Sequence, residues 1–319
     1  MTEKTVQVGV IGVGSMGQHH ARVYNEIEGT SLVGIADADI DRATEIAAEY
    51  DTRALPLDEL LELADAVSIA VPTQHHYETA MQCIDRGTHI LIEKPIALTE
   101  SEGEALIEAA ANNGVTIQVG HIERFNPAVS ALRNIVDTDD IVALRAERLG
   151  PPPKRTIQDN AVIDLMIHDV DIFLSLLDEE PSVVQSVGTN DNKYVSATLQ
   201  FDSGAVGTLI SSRLTQRKVR KLKITTTENF IEVDYIDQSI DIHRRSAPEF
   251  VQRDSGMQYR HESVIERPQV ENREPLKSEL TEFVDSVRTG SKPRVSGVDG
   301  LRAFQLVTEI DEQTGATDQ

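Results

Sequence analysis

Residues Thr5 to Ile11 form an apolar run of strand length, and Gly12-Val13-Gly14-Ser15-Met16-Gly17 follows it at once and opens a helical pattern through about Ile27. Glycines at this spacing serve three needs: a tight turn, close approach of backbone to a pyrophosphate, and close packing of helix on strand. The N–H groups at the helix start then face the phosphates. A second run, Ser31 to Ala36, ends in Asp37, which stands 25 positions beyond Gly12. A carboxylate there can accept hydrogen bonds from the diol of an adenine-linked ribose, and its charge repels a 2′-phosphate. NAD is therefore expected in preference to NADP. Asp37 can also be read as a helix cap, but Asp39 is better placed to cap a helix over Ile40 to Tyr50.

The alternation of strand and helix continues. A strand over Ala66 to Val71 is followed by a helix from about Gln74 to Arg86, closed by Gly87, and by an apolar strand through Ile90 to Ile92. Thr99 and Glu102 make a capping box for a helix that runs to Asn113 and stops at Gly114, and Val115 to Val119 is a further strand. Repeated β-α units imply an α/β fold with a right-handed, parallel, doubly wound Rossmann sheet over residues 1–120. Beyond it the pattern turns β-rich, with strands expected at Ile141–Leu149, Val183–Val187, Tyr194–Phe201, Ala205–Ser212, Val219–Thr226, Phe230–Tyr235 and Ser239–His243. Short turns such as Asp202-Ser203-Gly204 and Glu228-Asn229 signal an antiparallel meander. Residues 121–319 are thus expected to form an α+β domain with a large open, mainly antiparallel sheet. Its uncovered face suits association into a homodimer or homotetramer. Helices near Leu276–Arg288 and Gly300–Glu309 close the chain and can pack back on the first domain.

Charge restricts the partners. Among 319 residues, 30 Lys+Arg stand against 53 Asp+Glu, a net charge of -23 that repels nucleic acid and anionic lipid. No apolar run reaches the length of a spanning helix, and the N-terminal residues lead straight into a strand, so a cytoplasmic protein is expected. Only 9 of the 30 basic residues are Lys; with dispersed acids, this suggests a halophilic setting in which salt screens self-repulsion. The single Cys83 forms neither an internal disulfide nor a cysteine-based metal site.

Two stretches carry candidate chemistry. His89-Ile90-Leu91-Ile92-Glu93-Lys94-Pro95 delivers a carboxylate, an ammonium and a proline to the carboxyl end of a buried strand, where open α/β sheets place their ligands. Read alone, it is equally a solvated ion pair before a turn. A mostly apolar helix over Ala161 to Leu177 carries Asp164, His168, Asp171 and Ser175 on one face. A carboxylate one turn before an imidazole can fix its tautomer and raise its basicity, as a general base requires. His168 can also be a core histidine or a metal ligand, although this face offers no cysteine and no second histidine. Asn126 before Pro127 reads as a helix N-cap or as a substrate contact.

The glycine loop, Val71-Pro72-Thr73-Gln74-His75-His76, Glu93-Lys94-Pro95 and Asp164-x-x-x-His168 together resemble the Gfo/Idh/MocA oxidoreductase family across the whole chain. The resemblance implies a nicotinamide-dependent enzyme of two domains. In it Lys94 touches the reacting hydroxyl and the nicotinamide ribose, His168 removes the hydroxyl proton, and Asp164 supports the site. It places Gly12, Gly14, Ser15, Met16, Gly17, Asp37, Pro72, Thr73, His76 and Glu93 on the cofactor side, with a Lys94–Pro95 peptide that is often cis. This chain departs from the pattern at Asp159-Asn160-Ala161 and Met166, where many members carry glycine, and pocket width is open there. The stretches Gly120 to Pro127 and Met166 to Asp171 look most like the branch that oxidises nucleotide-linked amino sugars, such as UDP-N-acetylglucosamine at C3. Arg124, Lys154 and Arg155 would then meet a diphosphate, unless Arg124 pairs with a surface carboxylate. The rivals are a dehydrogenase of free aldoses or polyols, an enzyme that cycles a retained cofactor between two substrates, and a non-catalytic NAD and sugar sensor.

Overall fold

The computed structural model describes residues 5–152, 161–245, 249–253, 256–260 and 263–315. The chain forms two units, Met1–Phe125 with Arg273–Gln305, and Asn126–Asn272 with Leu306–Gln319.

In the first unit, β1 (Val6–Ile11), α1 (Gly17–Glu26), β2 (Thr30–Ala36), α2 (Ile40–Glu49), α3 (Leu57–Leu61), β3 (Ala66–Ile69), α4 (His76–Asp85), β4 (His89–Glu93), α5 (Glu100–Asn113) and β5 (Ile117–Gly120) follow in turn. The strands pair in parallel in the order β2-β1-β3-β4-β5. The winding reverses between β1 and β3, so the loops after β1, β3 and β4 open on the crevice where doubly wound sheets take their ligands. Both faces of the sheet are covered, which accounts for the unbroken apolar runs. Ile90 and Ile92 join one core cluster and Leu91 the other, as side chains alternate along a strand. The capping box of Thr99 and Glu102 starts α5, and Gly114, at φ 67°, ends it. The second cluster is completed from far along the chain: α8 (Pro275–Thr289) brings Leu276, Leu280, Phe283 and Val284 against Val8, Val10 and Tyr24.

The second unit opens with α6 (Pro127–Leu132) and β6 (Ile141–Leu149). The helix read over Ala161 to Leu177 is in two parts, a π-helical turn over Val162–Met166 that runs into α7 (Ile167–Leu177). Then come β7 (Pro181–Thr189), β8 (Tyr194–Phe201), β9 (Val206–Ser212), β10 (Val219–Thr226), β11 (Asn229–Asp234), β12 (Ser239–Arg245), β13 (Glu249–Arg253), β14 (Gly256–Arg260) and β15 (Ser263–Glu266). Eight of these strands form one sheet in the order β15-β12-β11-β10-β6-β9-β8-β7, and β13 pairs with β14 separately. The mainly antiparallel sheet read from the sequence is present, with one parallel pairing that the turns do not report. Short turns report only neighbours in sequence, giving β7-β8-β9 and β10-β11-β12; β6 joins the two halves, parallel to β9 and antiparallel to β10. α7 lies over the apolar face, where a Cβ on Gly207 would stand a tight 3.0 Å from the Phe173 ring. The last helix, α9 (Gly297–Gly315), starts in the first unit and ends in the second, where the Ile310 carbonyl accepts from Ser186 Oγ at 2.7 Å.

Candidate active site

The glycine loop is built for a dinucleotide. Gly12 sits at φ 84°, in the left-handed region. A Cβ on Gly17 would fall 1.8 Å from the Gly12 carbonyl oxygen, whereas one on Gly14 would meet nothing within 4 Å. The first and third glycines are therefore demanded by the turn itself. The second leaves open space beside the backbone, as a pyrophosphate requires. The start of α1 agrees: Met16 offers no side-chain cap and the first turn holds no acid, unlike α5, which has both. No side-chain cap or acid competes with an anion there, although the Gln18 and His19 N–H groups donate to the Gly14 and Met16 carbonyls at 3.4 and 2.8 Å. These residues fit a nicotinamide dinucleotide.

Asp37 lies at the end of β2, where the carboxylate was expected. Its Oδ2 accepts from Val13 N–H at 2.6 Å, and its Oδ1 accepts from Asp39 N–H at 2.8 Å and from Arg42 Nη2 at 2.7 Å. Burial pushes this carboxyl up, but Arg42 and the two backbone donors outweigh it and hold it below the ordinary range. Asp39 caps α2 through Arg42 N–H, as read from the sequence.

The loops after β3 and β4 are joined by His76, which is 1% exposed. Its Nδ1 lies 2.8 Å from the Pro95 carbonyl oxygen and its Nε2 3.0 Å from that of Val71. Burial lowers the basicity of this ring, partly offset by those two carbonyls. Both nitrogens are engaged within the scaffold, so His76 braces the loops that carry Pro72, Thr73 and Lys94. The Lys94–Pro95 peptide is cis. Glu93 is turned inward, with Oε1 3.0 Å from His20 Nε2. Burial pushes the Glu93 carboxyl up, while His20 and then Lys94 and His76 draw it below its ordinary value.

In the second unit Asp164 lies on the π-helical turn and His168 in the first turn of α7. Such turns recur at functional sites because they re-aim side chains within a helix. Asp164 Oδ2 accepts from Arg213 Nη2 at 2.6 Å; Arg213 follows β9 directly. Beside His168, Asp169 receives a two-pronged guanidinium, Arg148 Nε at 2.7 Å and Nη2 at 2.9 Å, with both side chains under 5% exposed. Arg148 also lies 5.4 Å from the centre of the Tyr235 ring. That pair ties the start of α7 to β6 and so fixes where His168 stands.

The expected substrate contacts fare differently. Asn126, 2% exposed, caps α6 by accepting from Ala128 N–H at 3.1 Å and donates to the Tyr235 carbonyl at 3.0 Å. Its amide serves the fold, and the cap is one of the two roles read for it from the sequence. Arg124 is 5% exposed and its Nη2 donates to the Arg294 carbonyl at 3.2 Å, so part of its guanidinium serves the fold. Lys154, Arg155, Asp159 and Asn160 lie outside the described residues. Sequence reasoning passed over His20, Arg148 and Arg213. His20 was within reach, because it falls one turn after Gly17 on the face that buries Ala21 and Tyr24.

A parallel sheet with a dinucleotide loop, followed by a unit bearing an acid and an imidazole one turn apart, defines an NAD(P)-dependent oxidoreductase. Residues 6–121 match the description "Oxidoreductase family, NAD-binding Rossmann fold", and residues 152–313 match "Oxidoreductase family, C-terminal alpha/beta domain". The chain belongs to the Gfo/Idh/MocA oxidoreductase family. It is similar to UDP-N-acetylglucosamine 3-dehydrogenase of Acidithiobacillus ferrooxidans, with 34% identity over 310 residues and 96% of each chain covered. A solved structure of that enzyme aligns at a TM-score of 0.88 over 98% of this chain and 99% of the other. Scyllo-inositol 2-dehydrogenase (NAD(+)) of Bacillus subtilis is 28% identical over 321 residues, covering 93% of this chain and 90% of that one. Apo scyllo-inositol dehydrogenase from Lactobacillus casei, at 21% identity and a TM-score of 0.82 over 100% and 98% of the two chains, shares the fold.

Proposed function

We propose that the protein is an NAD-dependent dehydrogenase that oxidises a secondary hydroxyl of a nucleotide-linked sugar, with C3 of UDP-N-acetylglucosamine the first candidate. The observation that carries this reading is the likeness, along nearly the whole chain, to a UDP-N-acetylglucosamine 3-dehydrogenase. Bound NAD supplies the hydride acceptor. Gly12 to Gly17 and the start of α1 would hold its pyrophosphate, and Asp37 its adenine ribose. His168 takes the hydroxyl proton through its imidazole, and the Lys94 ammonium stabilises the developing alkoxide. Arg213 holds Asp164 in place on the turn before His168. In the same reading the enzyme works as a cytoplasmic homo-oligomer adapted to high salt.

The test is NADH formation with UDP-N-acetylglucosamine, other UDP-sugars, free aldoses and inositols. The expected result is the highest kcat/KM with the amino-sugar nucleotide. Turnover confined to free polyols would instead favour the second reading, which rests on the inositol dehydrogenases among the relatives. Lys94→Ala and His168→Ala should each lower kcat by about a hundredfold or more and leave NADH affinity nearly intact. Equal loss of cofactor affinity in both variants would contradict these roles.

A further inference from the structure

From Glu93 a line of polar groups leads into the interior of the first unit. Glu93 Oε1 is 3.0 Å from His20 Nε2, His20 Nδ1 is 2.9 Å from Ser68 Oγ, and Ser68 Oγ is 2.8 Å from the Tyr24 hydroxyl. His20 and Ser68 are fully buried and Tyr24 is 1% exposed. Polar groups sealed this deeply need every partner they have. The chemistry of the four groups sets the direction of the chain. A carboxylate only accepts, so His20 Nε2 carries the hydrogen that faces Glu93. In a neutral ring Nδ1 then holds a lone pair, Ser68 donates to it, and Tyr24 donates to Ser68. Burial pushes the Tyr24 phenol far up, against a small opposing effect of Ser68, so the hydroxyl keeps its proton and remains a donor.

We propose that His20 is a positioning residue of the active site: held in one tautomer by Ser68 and Tyr24, it presents Nε2–H to Glu93 and keeps that side chain a carboxylate, fixed in place beside Lys94. The consequence for turnover rests on the role proposed for Lys94; the state of Glu93 does not. The groups that act on Glu93 come from each side. They are His20 on α1, His76 on α4 and the adjacent Lys94. On β5 stands Gly120, where a Cβ would come within 3.0 Å of Oε2. Burial alone would favour the neutral acid, and His20 is the largest of the influences opposing it. The negative charge at the end of β4 thus depends on a histidine from another helix, which no local motif at Glu93 reveals.

The experiment follows the Glu93 carboxyl by carbon-13 NMR through a pH titration of the full chain, free of cofactor and substrate, in the wild type, His20→Asn, His20→Gln and Ser68→Ala. Glutamine sets an amide near the place of Nε2 and can still donate to Glu93; asparagine sets its amide near Nδ1 and cannot. The Glu93 midpoint should rise by about one pH unit or more in His20→Asn, return most of the way in His20→Gln, and rise by a smaller amount in Ser68→Ala, where the donor that fixes the tautomer of the ring is lost. The acid limb of kcat/KM should shift in the same order, a pattern that general loss of stability does not produce. An unchanged Glu93 midpoint in folded His20→Asn would overturn the proposal. Should that variant not fold, the nitrogen-15 spectrum of the wild type decides: Nε2–H on His20 is expected, and the Nδ1–H tautomer overturns it. A wild type without dehydrogenase activity would strike the functional reading and leave the titration result standing.

Discussion

Three arginine–carboxylate pairs in this protein have nearly the same closest approach and very different surroundings. Arg148–Asp169 is sealed, with side chains 4% and 3% exposed; Arg213–Asp164 is half open at 11% and 25%; Arg42–Asp37 pairs a 44% exposed guanidinium with a 4% exposed acid. Their closest contacts are 2.7, 2.6 and 2.7 Å. Distance therefore does not separate them, and solvent does. A sealed pair has replaced all of its water, so losing one member strands a charge. An exposed arginine exchanges one set of hydrogen bonds for another. The first pair is expected to serve the stability of the fold; under the proposed function the second serves the site and the third ligand selection.

Arg148→Leu should have the largest effect. It leaves Asp169 buried without its bidentate partner, and chemical denaturation should show a loss of about 3–5 kcal/mol. The double variant Arg148→Met with Asp169→Leu should recover most of it, because an apolar replacement strands nothing. If the double variant were no more stable than the single one, the burial argument would be wrong.

Arg213→Met comes next. It should lower kcat/KM about ten- to a hundredfold, as expected for loss of a hydrogen bond between charged groups worth ~1.5–3 kcal/mol, with a much smaller fall in melting temperature than Arg148→Leu. A stability loss as large as that of the sealed pair, with kcat/KM unchanged, would move Arg213 from the site to the scaffold.

Arg42→Ala should have the smallest effect on stability, below about 1 kcal/mol. The sign with pH follows from Asp37, whose folded carboxyl lies below its ordinary value of 3.8. The contribution of this pair is present above that value and lost as pH falls through the folded one, so wild type and variant should converge in acid. The same change leaves the Asp37 charge unmatched and should sharpen preference for NAD over NADP, read as the ratio of the two dissociation constants. A variant that bound NADP better than the wild type would reverse the role given to Arg42.

What the sequence disclosed divides along the same physical line. The glycine loop, Asp37, the Asp39 cap and the capping box of α5 are local devices whose partners lie within a few residues or follow from a repeated unit, and each is where the pattern puts it. The strands of the large sheet are legible for the same reason. The parallel pairing of β6 with β9 is not, since Ala143 and Val206 are joined across more than sixty residues by nothing local. Of the residues given roles under the proposed function, Lys94, Asp164 and His168 were marked by motif. Arg213, Arg148 and His20 act through a fold that had first to be assembled. Asn126 and Arg124 show the converse: polar residues in a promising stretch that the interior buries.

The return of α8 to the first unit has a consequence for how the protein is made. Phe283, Leu280 and Leu276 complete the cluster that holds Val8, Val10 and Tyr24, yet the ribosome reaches them only after residues 126–272 have been translated. At ~5–20 residues per second, the interval lasts about 7–30 s. Throughout it the first-made segment carries an apolar face whose cover has not been synthesised. Its assembly cannot finish in the order in which it is written, and a chain halted before residue 276 is a molecule whose Rossmann half is long enough to form a sheet but lacks one wall.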